Sequence, residues 1–342
     1  MGEVVMAYKS EHGENDLRLP AESQDLCCAP SREISPRPGG LEKFPSGAME
    51  TNRPAQTMVQ IDDGTFLMGT DNRKGYPADG EGPVRRVDVA SFLVSTETVT
   101  NSEFARFVEA TGYKTEAEKF GWSFVFHLFV SEETKRAVKQ AVGGANWWWK
   151  VEGADWRHPE GPDSNVDERQ FHPAIHVSWN DAIAYCNWTD ARLPTEAEWE
   201  YMARGGLEQK LYPWGDDLTP NEQFLCNIWQ GRFPDLNTAM DGYVGTAPAR
   251  SFKPNGFGIY NVAGNVWEWC SDWFSTNFHV NGPHKNPQGA ATGQAKVVRG
   301  GSYLCHYSYC NRYRVAARTA NTPDSSTGNM GFRIVRNAKL AS

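Results

Sequence analysis

A single α+β domain with little regular secondary structure is the fold class that this 342-residue sequence predicts, and three observations predict it. All 13 tryptophans lie at or beyond Trp122, so the material for an aromatic core sits in one continuous stretch. Short strand patterns and three capped helices are spread between residues 58 and 205. Beyond Gly205 the chain is dominated by Gly, Asn, Pro and Trp, with few periodic runs; irregular backbone of this kind is held by large side chains and bound ions. With 39% hydrophobic and 12% aromatic residues, the core material is ample.

Residues 1–56, rich in Pro, Gly, Ser and charge, are expected to be a disordered leader with nothing to bury. The folded domain is expected over 57–337, followed by a tail at 338–342. "MVQIDDGTFLMGTD", from Met58, reads as two strands about a Gly turn, a hairpin opening the domain. "VRRVDVASFLVSTETVTNSEFARFVEATGY" gives a strand and then a helix capped at Thr100 or Asn101, with Phe104, Phe107 and Val108 on one face. A second helix is capped at Ser178 or Asn180. A third begins at Thr195, where Glu198 completes a capping box, and stops at Gly205.

A net charge of −8 argues against a nucleic-acid surface, which needs clustered excess Lys and Arg. No segment approaches the roughly 20 apolar residues that span a bilayer, and the leader lacks the basic start and apolar run of a secretory signal. Seven cysteines, an odd number with Cys27 and Cys28 adjacent, do not form a secreted disulfide framework. The expectation is a cytoplasmic protein without nucleic-acid or membrane partners.

Four constellations carry candidate chemistry. Cys305 and Cys310 stand in "GGSYLCHYSYCNRYRVAAR". A Cys-x4-Cys pair with His306 alone falls short of a four-ligand zinc site, while a disulfide, a soft monovalent metal and a cycling redox pair all remain open. Asn227 and Asp241 with nearby carbonyls form one oxygen-rich cluster, and Asn261, Asn265 and Glu268 another; each suits calcium or simply closes turns. Arg312, Arg314 and Arg318 form a basic cluster best read as ion pairs.

Taken together, "WRHPEGPDS", "RLPTEAEWEYMARGG", "NIWQGRFP", "GFGIYNVAGNVWEWCSDW" and "GGSYLCHYSYCNRYRVAARTANTPDSSTGNMGFR" closely resemble the formylglycine-generating enzymes, the sulfatase-modifying factors. The resemblance runs from Met58 to Arg336. It implies a fold related to the C-type lectins and the oxidation by dioxygen of a cysteine in the Cys-X-Pro-X-Arg motif of an unfolded sulfatase to Cα-formylglycine. It further implies that Cys305 and Cys310 bind copper(I) and that Ser302 and Trp267 line a dioxygen pocket. One calcium site is implied at Asn227, Ile228, Asp241 and Tyr243, and a second at Asn261, Gly264, Val266 and Glu268. Met202, Val315 and Ile334 stand where secreted animal members carry disulfide cysteines, and Cys186 lacks its partner, in keeping with a reduced cytosol. The alternative is a non-catalytic sulfatase-binding module on the same fold, a class without the cysteine pair. An iron-dependent sulfoxide synthase would require a helical domain that does not fit before residue 58.

Overall fold

The computed structural model describes residues 29–32 and 56–338; the remainder of the expected leader, with Cys27 and Cys28, and the tail beyond residue 338 lie outside the described residues. In chain order the elements are β1 (Met58–Ile61), β2 (Gly64–Met68), β3 (Arg85–Val89), β4 (Phe92–Ser95), α1 (Asn101–Thr111), α2 (Glu116–Phe120), β5 (Trp122–Phe126), α3 (Glu132–Lys135), β6 (Gln140–Val142) and β7 (Ala145–Glu152). Then follow α4 (Trp179–Thr189), α5 (Glu196–Arg204), β8 (Gly231–Arg232), β9 (Leu236–Asn237), β10 (Trp267–Trp273), α6 (Phe278–Asn281), β11 (Lys296–Arg299), β12 (Arg318–Asn321), β13 (Met330–Gly331) and β14 (Val335–Asn337). The strands form five small sheets, ordered β1-β4-β14, β12-β11-β10-β13, β2-β3, β5-β7-β6 and β8-β9.

The three expected helices form where their caps place them. Thr100, Ser178 and Thr195 each accept from the backbone amide three residues on, and Glu103, Asp181 and Glu198 reach back to complete the boxes. Gly205 ends α5 with φ of 56°, in the left-handed region that a glycine enters without a Cβ clash. Phe104, Phe107 and Val108 are buried as expected.

The opening hairpin is corrected. Both strands exist, but β1 pairs with β4 while β2 pairs with β3. Val94 of β4 lies opposite Val59 on one side and Val335 on the other, so the two ends of the domain share one sheet. Gly64 opens β2 directly beneath Tyr201, where a Cβ would meet the phenol oxygen at 2.2 Å. Phe66 and Met68 then bury in the same cluster as Trp199 of α5.

The basic cluster resolves into buried ion pairs. Arg312 donates to Asp79, Arg314 binds both oxygens of Glu81, and Arg318 both oxygens of Glu196. Cys186 and Ile334 are buried in one apolar cluster, and Met202 and Val315 in another.

Residues 29–32, within the expected leader, lie against the domain. Ala29 joins the core beside α4, and Ser31 donates to Asn321. The buried Arg32 guanidinium donates to the carbonyls of Asp324 and Trp122 and lies 4.3 Å and 4.4 Å from the ring centres of Phe120 and Trp122. A single long side chain thus anchors a segment with little apolar surface of its own. Burial lowers the Arg32 pKa to about 10, which leaves it charged at neutral pH. Arg32→Ala removes the donor from two partly buried carbonyls and is expected to cost about 2 kcal/mol in urea unfolding; a midpoint equal to that of the wild type would show that the anchor contributes nothing.

Candidate active site

The two cysteines sit in the long loop between β11 and β12, and glycines set its path. Gly300 and Gly301 have φ of 92° and 73°, and a Cβ on Gly301 would lie 2.9 Å from the Tyr313 Cα. The chain then turns tightly: Cys305 N–H donates to the Ser302 carbonyl, and the amides of Tyr309, Cys310 and Asn311 all donate to the His306 carbonyl. These turns bring the Sγ atoms of Cys305 and Cys310 to 2.9 Å, and both residues are buried. Ser302 N–H donates to the Cys305 sulfur at 3.3 Å.

Ser302 lines the space over the sulfurs, and the Trp267 backbone is linked to it through Asn329. The Ser302 hydroxyl oxygen accepts from Asn329 Nδ2 at 3.0 Å and Leu304 N–H at 3.3 Å, which leaves its own proton for a further acceptor. Asn329 is in turn oriented by Thr327, and its carbonyl accepts the Trp267 amide. Sequence reasoning missed Asn329 as a site residue, although it stands inside "SSTGNMGFR"; only the fold brings it to Ser302. The Trp267 indole is wholly buried in the cluster that contains both cysteines, and its N–H has no acceptor among the described residues. Trp147, Trp148, Phe233 and Tyr309 wall a pocket over the sulfurs that is too narrow to admit a water molecule. Phe233 stacks on Tyr309 at 4.2 Å, and Trp147 meets both edge-on. Burial lowers the His306 pKa, which favours the neutral ring hydrogen-bonded to Ser308.

The donor set narrows what the thiols can hold. No group of three or more His, Cys, Asp or Glu side chains is poised for a metal among the described residues, so a closed zinc site is not built here. Two adjacent buried sulfurs without a third strong donor fit a soft monovalent ion such as copper(I).

The oxygen clusters fare differently. Asp241 accepts from the amides of Ile228 and Tyr243, bringing Asn227, Ile228, Asp241 and Tyr243 together. The Asn227 Oδ1 is buried with no partner among the described residues. Burial raises the Asp241 pKa against those backbone bonds. This set fits a hard ion. In the second set, Asn261 also has an unpartnered buried Oδ1, and Gly264 approaches Asn227 so closely that a Cβ would lie 2.2 Å from its carbonyl oxygen. Val266 is buried beside them in sequence. Glu268, the fourth residue of this set, is buried and accepts two 2.5 Å bonds from Arg333 and one from the Trp199 indole.

A larger apolar cleft of about 320 Å³, between Leu207, Trp214, Pro254 and Val262, holds neither cysteine of the pair.

Comparison with known proteins agrees with this geometry. Residues 45–338 match the family model described as the sulfatase-modifying factor enzyme 1-like domain. The chain is 56% identical over 292 residues to the formylglycine-generating enzyme of Streptomyces coelicolor, covering 85% of this chain and 93% of that protein. It is 53% identical over 305 residues to the formylglycine-generating enzyme of Mus musculus, covering 89% and 78%. It is also 45% identical over 284 residues to the inactive Cα-formylglycine-generating enzyme 2 of Bos taurus, covering 82% and 88%. Among solved structures, PvdO from Pseudomonas aeruginosa superposes with a TM-score of 0.61 at 25% identity, over 82% of this chain and 94% of that one.

Proposed function

The chain belongs to the formylglycine-generating enzyme family, whose members act on peptidyl cysteine, and from that premise we propose that it carries out the copper-dependent aerobic oxidation of the cysteine in Cys-X-Pro-X-Arg of an unfolded sulfatase. The observation that carries the reading is the pair of buried thiols 2.9 Å apart, enclosed by aromatic rings and beside Ser302. Copper held by Cys305 and Cys310 supplies, when bound, the one-electron chemistry that dioxygen requires. The chain's own share is positional. The Ser302 amide steadies the Cys305 sulfur, and the Ser302 hydroxyl and Trp267 indole offer two hydrogen-bond donors in a site from which large rings exclude water.

The substrate is read as extended, since a cysteine inside a folded sulfatase cannot enter a cavity so narrow. Proline in the motif restrains itself and the residue before it, lowering the ordering cost. The reaction is placed in the cytoplasm, where three isolated buried thiols, Cys186, Cys226 and Cys270, remain unpaired. The test is mass spectrometry of a Cys-X-Pro-X-Arg peptide incubated in air with the copper-loaded protein. Formation of the aldehyde supports the reading; binding without conversion would place the chain with the inactive relatives.

Calcium is assigned a structural part at Asn227, Ile228, Asp241 and Tyr243. Chelation is expected to lower stability by about 2.7 kcal/mol if free calcium had exceeded its dissociation constant a hundredfold. Asn227→Ala should abolish that response. Identical melting curves with chelator and with excess calcium would leave these residues as turn formers.

A further inference from the structure

Eight large hydrophobic residues are exposed among the described residues, and four of them fall on two adjoining loops: Leu128 on the His127–Phe129 turn, and Leu236, Met240 and Val244 after Phe233. The loops touch each other. His127 lies 3.4 Å from the Pro234 carbonyl, and the Phe129 ring approaches the open side of Gly245. Leu236, Met240 and Val244 are 53%, 67% and 54% exposed, yet their backbone is well held. Thr238 N–H donates to the Gln230 carbonyl, Asn237 accepts from the Ala239 amide and donates to the Val244 carbonyl, and Asp241 fixes Ile228. A pinned loop that keeps apolar side chains in water indicates an interaction surface.

The same loop begins inside the reaction cavity. Phe233, three residues before Leu236, stacks on Tyr309 at 4.2 Å and lines the cavity with Cys305 and Cys310. We infer that Leu128, Leu236, Met240 and Val244 form a shelf that binds apolar side chains of the unfolded substrate outside the Cys-X-Pro-X-Arg motif. The inference rests on the proposed function. Its occupant follows from continuity: an extended chain leaving the cavity past Phe233 next meets this loop, and an unfolded globular protein exposes the apolar residues that its core will later bury. The shelf therefore distinguishes an unfolded client from a polar peptide bearing the same five-residue motif.

The test compares peptides that share the motif, with Ser/Gly flanks or with leucines on the N-terminal or the C-terminal side in turn. Binding is read by fluorescence anisotropy on versions whose motif Cys is Ser, and turnover on the Cys versions. The wild type is expected to bind one of the leucine-flanked peptides about tenfold more tightly than the polar one. Leu128→Asp and Leu236→Asp, alone and together, should remove that preference while leaving binding and turnover of the polar peptide within about twofold. No preference in the wild type, or equal weakening of every peptide in the variants, overturns the shelf. A wild-type dimer that the variants split in sedimentation also overturns it, by assigning the surface to a second copy. Preferential binding by a wild type that converts neither peptide would leave the shelf standing and refute the oxidation.

Discussion

Serine at either Cys305 or Cys310 is expected to abolish conversion of a Cys-X-Pro-X-Arg peptide and to weaken copper(I) binding by orders of magnitude. The two sulfurs are the only soft donors that the loop brings together, and a hydroxyl is a poor ligand for a soft ion. The change is nearly isosteric, and the turns that place the pair run through backbone groups: Cys305 N–H to Ser302, and Cys310 N–H to His306. Melting temperature and affinity for the Ser-substituted peptide should therefore stay close to those of the wild type. That combination separates loss of the reactive pair from loss of the fold. A serine variant oxidising peptide at near wild-type rate would sink the assignment of these residues.

What could be read before folding was local or motif-borne. Helix caps at Thr100, Ser178 and Thr195 depend on groups three residues apart, so a few letters disclose them. The cysteine pair was visible because its spacing is short, and its partners Ser302 and Trp267 because the resemblance covers them. Sheet pairing was harder: nothing within "MVQIDDGTFLMGTD" states that its strands join different partners, since the decisive contacts come from Phe92–Ser95 and Arg85–Val89. The continuous apolar runs of β5 and β7 show no alternation that separates strand from buried helix.

Polar pairing across long separations was the least legible. Arg333 reaches Glu268 across 65 positions, and Arg314 reaches Glu81 across 233. The Glu268 carboxylate therefore has a guanidinium partner that its own motif does not disclose. The same blindness hid Arg32, whose anchoring depends on the carbonyls of Trp122 and Asp324 rather than on any apolar pattern in its own segment.

These buried charges set the other large expectation: Glu196→Gln should lower unfolding free energy at pH 7 by about 3–5 kcal/mol. Glu196 opens α5 and holds both ends of the cysteine loop, accepting from Arg299 of β11 at 3.2 Å and bidentately from Arg318 of β12 at 2.6 and 2.7 Å. Burial alone would raise its pKa, but Arg318, Arg299 and His279 outweigh that effect and bring it from 4.5 to about 2. A carboxyl depressed in the folded state contributes its full stabilisation above its unfolded pKa and loses it as pH falls toward the folded one. The pKa difference corresponds to about 3 kcal/mol at neutral pH, in the range expected when a buried pair is broken. Glutamine preserves the shape but leaves Arg318 without its counter-charge. Urea unfolding of both proteins from pH 7 to pH 3 should therefore show their stabilities converging below about pH 4.5, by about 2 kcal/mol at pH 3. A gap that stays constant across that range would mean that Glu196 acts through packing rather than charge. Because the pair ties Arg299 and Arg318 on either side of residues 300–317, the variant should also loosen the thiol site, and alkylation of Cys305 and Cys310 in the native protein should become faster while Cys186, buried in α4, stays protected.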